Sequence, residues 1–179
     1  MGKGADFERE ISKTLTVWLT GKEKPYWFWR MPGSGSIATI HSECERFSGD
    51  IRAMHPAAEF LLDIFSIECK TGYPKTDFWQ LFKTIKNFDI RDFWAQCVND
   101  ANRANKLPML IYRKKGKKII VGIRDEERLK LTTLGCLPTL IINFCADCLP
   151  VVAFYDFELF WKNIKVEDIK RLNENKPNI

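Results

Sequence analysis

Between Asp92 and Ile123 the apolar residues change period within one short stretch, and few folds accommodate the result. Phe93, Trp94, Cys97, Ala101 and Ala104 recur at helical spacing and predict a helix over 92–105. Pro108–Arg113 then reads as a strand, Lys114–Lys118 as a turn, and Ile119–Ile123 as the returning strand of a hairpin. A second helical pattern stands at the start of the chain. Phe7, Ile11, Leu15, Trp18 and Leu19 mark a helix over 5–19, followed by Gly21 and stopped by Pro25. Strands are expected at Tyr26–Arg30, Asp50–Ala53, Phe60–Lys70, 139–144 and 151–154, and a last helix at Asp156–Asn163. Pro32–Ser36 is a turn, 37–49 reads as a loop, and 76–90 is ambiguous. Helix, strands, helix and strands in that order give an α/β (α+β) domain with a central mixed β-sheet flanked by helices.

Length and composition narrow the class. With 179 residues the chain holds one sizeable core, so we expect a single domain over 1–179. Apolar residues at 45% and charged residues at 28% exclude a largely disordered chain. The net charge, 28 − 23 = +5, permits an anionic partner without requiring one. No run approaches a membrane span, so no membrane partner is expected. Met1–Asp6 carries no apolar run behind its charge, so a secretory signal is not expected and a cytoplasmic protein with reduced thiols is. Cys145 and Cys148 form a C-x-x-C, which reads as buried thiols at a strand end. The rival reading is half a zinc site completed by His41 and Cys44.

Three features carry possible chemistry. On a helical wheel with Phe7 at zero, Trp18 to Leu19 span about 20° to 120°; Glu8 falls near 100°, inside that apolar face, and Glu10 near 300°, outside it. A carboxylate aimed at a core is costly unless it binds a metal or is bridged to Arg or Lys. Glu68 and Lys70, two apart on a strand, share one face, while Phe65, Ile67 and Cys69 take the other. Asp50 follows Gly49 at the start of a strand, where Asp is also a common turn residue. Two carboxylates and an ammonium on adjacent strands can hold a hard divalent cation and position a water.

Glu8 in Lys3–Glu10, then Gly33–Ser36, then Gly49–Asp50, then Glu68–Cys69–Lys70 together resemble the PD-(D/E)XK nuclease superfamily. The nearer likeness is to Holliday-junction resolvases of the archaeal type and their phage-encoded relatives. Phe93–Gln96, Asp100–Ala101 and Lys106–Ile111 are similar to the helix and strand that follow in the phage relatives. The resemblance covers about 3–113. It implies a restriction-endonuclease-like α-β-β-β-α-β core, here about 3–123, with a divergent part over 124–179. It also selects Glu8 over Glu10.

What the resemblance implies is specific. Glu8, Asp50 and Glu68 would bind Mg²⁺ or Mn²⁺, and Lys70 would assist the attacking water. Ser34 and Ser36 would contact a DNA phosphate, and Gln96 would reach the site from the second helix. Gly49 stands where the pattern has Pro, and Gly also permits an unusual backbone. The stretch 37–49 is longer than in compact archaeal members. The activity implied is metal-dependent hydrolysis of DNA phosphodiester bonds, with a four-way junction as substrate and a homodimer to make paired cuts. A restriction-like, nicking or single-strand-cutting nuclease is the alternative, as is a non-catalytic DNA-binding module. From charge alone, Lys114, Lys115 and Lys117, with Lys118, are candidates to grip DNA backbone, and Arg9, Lys13 and Lys75 are weaker ones. Tyr26, Trp27, Trp29 and Trp79 are candidates for stacking on bases, with core packing the competing role for most of them.

Overall fold

The computed structural model describes residues 3–31, 48–73, 89–131, 137–144 and 148–174. Helix α1 (Lys3–Thr20) leads into a two-stranded ribbon, β1 (Phe28–Arg30) and β2 (Ile51–Ala53). A 3₁₀ turn (Pro56–Ala58) and α2 (Glu59–Ile64) precede β3 (Phe65–Thr71). Then come α3 (Asp89–Arg103), the hairpin β4 (Leu107–Arg113) and β5 (Ile119–Arg124), and α4 (Asp125–Leu131). The chain continues through β6 (Leu140–Ile142), β7 (Val152–Asp156), α5 (Phe157–Asn163) and α6 (Val166–Glu174). The main sheet has five strands in the order β3-β4-β5-β7-β6. Only β3 and β4 run parallel; the other neighbours are antiparallel. This is the mixed sheet flanked by helices that the periodicity predicts, an α+β fold consistent with a restriction-endonuclease-like core.

The sheet separates two cores. On one face Phe7, Ile11 and Leu15 of α1 pack with alternate residues of β3, β4, β5 and β7, and with Phe160 and Trp161 of α5. On the other, Phe93, Trp94 and Cys97 of α3 pack against Leu110, Tyr112 and Phe154. Two tryptophans, Trp94 buried and Trp18 partly buried, tie distant segments to these layers. The indole N–H of Trp18 donates to the Ile164 carbonyl at 2.9 Å, and that of Trp94 to the Pro150 carbonyl at 2.9 Å. Asp156 caps α5, its carboxylate accepting from the backbone N–H groups of Glu158 and Leu159. No described helix is long and apolar enough to cross a membrane.

Two expectations are corrected. The strand expected over 60–70 begins at Phe65, and Glu59–Ile64 is helical. The reason is local. Pro56 starts the 3₁₀ turn, His55 Nδ1 accepts from the Ala57 N–H, and good helix formers follow, burying Leu61 and Ile64. Alternation with period two begins only at Phe65. Cys148, expected to be a buried thiol, is exposed at a turn with φ +52°. Cys145, His41 and Cys44 lie outside the described residues.

The ribbon is joined to the main sheet at one point. The Asp50 N–H donates to the Ile67 carbonyl at 2.7 Å, and the Met31 N–H to the Asp50 carbonyl at 2.7 Å. Gly49, with φ +96°, makes this approach possible: a Cβ there would sit 2.7 Å from the Ile67 oxygen. A proline, locked near φ −65°, has no access to this conformation. Gly49→Ala should therefore lower stability by about 3 kcal/mol, from left-handed strain plus overpacking. Urea unfolding reads this directly, and an unchanged midpoint would contradict it.

Candidate active site

The site wraps around the edge of β3 that no described strand pairs. Because β3 is an edge strand of the main sheet, its two faces and its outer backbone are approached separately. Asp50 lies along the edge. Its Oδ2 accepts from the Cys69 N–H at 2.8 Å, and the residue is 7% exposed. Glu68 and Lys70 stand on the face covered by α3, opposite Leu110 and Tyr112 of β4. Lys70 Nζ is 2.6 Å from Glu68 Oε1, which also accepts from Gln96 Nε2 of α3 at 3.2 Å. Lys70 lies 5.8 Å from the ring centre of Phe93, within cation–π range. Glu8 arrives from α1 on the opposite face, its Oε2 accepting from Arg30 Nε at 3.0 Å.

Asp50, Glu68 and Lys70 therefore stand together along β3, with the Glu8–Arg30 pair on the opposite face. The electrostatic consequence is visible at several groups. Glu68 is raised from 4.5 to about 7, by burial first and then by the charge of Asp50, against the lowering effect of Lys70. Burial acts to lower the Lys70 pKa, yet the charge and hydrogen bond of Glu68, with Asp50, carry it upward. The buried Cys69 thiol is pushed well up, by burial and then by Asp50, Glu68 and Glu8. Burial and the charge of Asp50 lift Glu68, while pairing with Glu68 lifts Lys70, as expected for an ion pair held in a sheltered site beside a second carboxylate. Holding Glu68 ionised at this position costs on the order of 3 kcal/mol.

The donor chemistry fits a hard divalent cation, which takes a small number of carboxylate oxygens and completes its shell with water and phosphate. Among the described residues, no three acidic, His or Cys side chains are grouped closely enough to hold a metal ion. Glu8 and Glu68 are turned to Arg30 and Lys70, and a cation would have to compete with these for the same oxygens.

The remaining candidates divide. Gln96 reaches the site through Glu68. Lys114, Lys115 and Lys117 lie in the β4–β5 hairpin, with Lys115 and Lys117 exposed. The register, Lys70 opposite Tyr112 and Thr71 opposite Arg113, puts this hairpin at the same end of the sheet as Lys70. Lys118 is paired with Asp156 at 3.0 Å. Glu10 is exposed and is held by Arg113, whose Nη1 donates to both carboxylate oxygens at 2.8 Å. Ser34, Ser36, Lys75 and Trp79 lie outside the described residues. Sequence reasoning missed Arg30, although a signal existed: it alternates with buried Phe28, so it points inward beside α1. It also missed Asp100, one turn beyond Gln96, whose charge contributes to the rise at Glu68.

The fold is that of an α+β domain consistent with a restriction-endonuclease-like core. A family model described as "Phage putative PDDEXK endonuclease" matches residues 1–171, and the chain belongs to that family. No curated protein and no solved structure gives a match.

A pH prediction follows from Glu68. Its folded pKa lies above the unfolded value, so the folded state binds the proton more tightly. The stability this gives is fully present below about 4.5 and is lost as pH rises to about 7. Metal-free protein should lose melting temperature across that window. Glu68→Gln should flatten the profile and be the more stable protein at pH 8. Parallel profiles for the two proteins would contradict the assignment.

Proposed function

We propose that the chain is a metal-dependent endodeoxyribonuclease that hydrolyses DNA phosphodiester bonds at the Glu8–Asp50–Glu68–Lys70 site. The observation that carries the reading is the placing of Asp50, Glu68 and Lys70 along β3, with Asp50 held by the Cys69 N–H and Glu68 by Lys70 and Gln96. Family membership supports the same chemistry.

In the mechanism we propose, Glu8, Asp50 and Glu68 hold Mg²⁺ or Mn²⁺. Such an ion, when bound, lowers the pKa of water and offsets charge developing on the phosphoryl oxygens. Asp50 is fixed by the Cys69 N–H, so one of its oxygens is held in place before substrate arrives. Gln96 holds Glu68 in the orientation facing Lys70. With Glu68 engaged by the ion, Lys70 would be free to orient the water that attacks phosphorus in line and to assist the loss of its proton to solvent. The bond to the 3′-oxygen breaks, giving 5′-phosphate and 3′-hydroxyl ends, as the superfamily resemblance implies.

A four-way junction is our preferred substrate, carried over from the likeness to junction resolvases. Paired cuts in such a substrate require two sites and hence a homodimer. Lys114, Lys115 and Lys117 extend from the site's end of the sheet, which supports their contacting a phosphate backbone. Ser34 and Ser36 keep the phosphate-contacting role that the resemblance implies. The competing reading, a restriction-like, nicking or single-strand-cutting enzyme, keeps the same chemistry.

The test is cleavage of a four-way junction, a linear duplex, a nicked duplex and a single strand of shared sequence, with Mg²⁺, Mn²⁺ or EDTA. Lys70→Ala should reduce cleavage by at least about a hundredfold, the lower range for losing a group that assists proton transfer, while DNA affinity stays within a few-fold. Symmetric cuts confined to the junction support the resolvase. Cuts in linear or single-stranded DNA replace it with the competing nuclease. DNA binding with no metal-dependent cleavage of any substrate would overturn the enzyme reading in favour of a binding module.

A further inference from the structure

The β1–β2 ribbon has two unlike faces. Its register pairs Phe28 with Ala53 and Arg30 with Ile51. These residues face the core: Phe28 and Ile51 are buried, Ala53 packs against them, and Arg30 reaches Glu8. The intervening pair, Trp29 and Arg52, therefore projects from the opposite face. Trp29 is only half-buried and meets the Tyr26 ring at 5.0 Å. Just past the strand ends, the His55 ring lies flat on Trp27, 3.9 Å away and within 8° of parallel. His55 is exposed and Met54 is 53% exposed.

Cations accompany the rings. Lys24 Nζ lies 6.0 Å from the Tyr26 ring centre. Arg52 Nε is buried with no hydrogen-bond partner among the described residues. Position supplies a further argument. Asp50 directly precedes β2, so this face starts at a catalytic carboxylate. Five residues of extended chain reach about 17 Å, and successive nucleotides of one B-DNA strand advance about 3.4 Å along the axis. The face thus spans roughly five nucleotides.

We infer that the outward face of the β1–β2 ribbon is a stacking platform for unpaired nucleotides adjoining the scissile phosphate. Bases in a continuous duplex have their ring faces covered by neighbours and cannot use it. Unpaired bases offer both faces, and stacking tolerates any sequence. The inference rests on the nuclease reading above and adds a substrate class: DNA in which a paired stretch opens into unpaired bases. Arg52 and Lys24 would draw in the strand's phosphates while the rings hold its bases.

Fluorescence anisotropy in EDTA reads binding apart from cleavage. The probes are a labelled linear duplex and the same duplex carrying a short unpaired tail. Wild type should prefer the tailed DNA. Trp29→Ala and His55→Ala should each lose about tenfold on the tailed DNA, the size of one stacking contact, with duplex affinity unchanged within about twofold. Trp29→Phe should restore binding. His55 is exposed, so His55→Ala decides the matter even if Trp29→Ala fails to fold. Equal wild-type affinity for the two DNAs, or equal losses on both with His55→Ala, would overturn the inference. Cleavage with Mg²⁺ is read separately. Wild type that never cuts but still prefers the tailed DNA sinks the nuclease reading and leaves the platform standing.

Discussion

Two hydrogen bonds to the outer edge of β3 hold the site together. The Asp50 N–H donates to the Ile67 carbonyl, and the Asp50 carboxylate accepts from the Cys69 N–H. They bring the start of the ribbon to a strand that also carries Glu68 and Lys70 on one face and leans on α1 through the other. Without them Asp50 would lose its fixed place against β3, although Phe28 and Ile51 still anchor the ribbon in the core. The closeness of this contact fixes the residue type before it. Only a glycine lets two backbones approach so tightly at a positive φ.

Electrostatics adds the second constraint. Burying two carboxylates at 7% exposure each, with a third nearby, runs against stability unless something balances them. Lys70 and Arg30 pair with Glu68 and Glu8, and the rise at Glu68, set by burial first and then by Asp50, registers the cost of keeping it charged. A bound cation would offset that cost. Gln96 belongs to the same logic, since it fixes the Glu68 oxygen that Lys70 shares. The aromatic face of the ribbon extends the site outward from the carboxylate at its base.

Much of this was legible in residue order because periodicity is a strong signal where elements are long. Helices α1 and α3 and the β4–β5 hairpin fall within a few residues of their expected bounds, and the sheet is mixed as expected. The apolar run from Phe60 to Phe65 misled because a short buried helix and a buried strand share the same composition. Helices α4 and α6 went unrecognised because their sequences are mostly charged, although each opens with an acidic first turn. At the site, Glu8 was visible as a carboxylate on an apolar helix face, and Glu68 and Lys70 as a same-face pair. Arg30 and Asp100 were not, since their relevance arises from spatial neighbours 22 and 32 residues away in sequence.

The account stands on one claim, that the carboxylates around β3 are held for a divalent cation. Titrating metal-free protein with Mn²⁺ by calorimetry, at pH 6.5 in buffers of differing ionisation enthalpy, tests it most directly. The predicted result is one binding event that releases a fraction of a proton from Glu68 and disappears in Asp50→Asn. Absence of binding, or binding that survives that substitution undiminished, would contradict it.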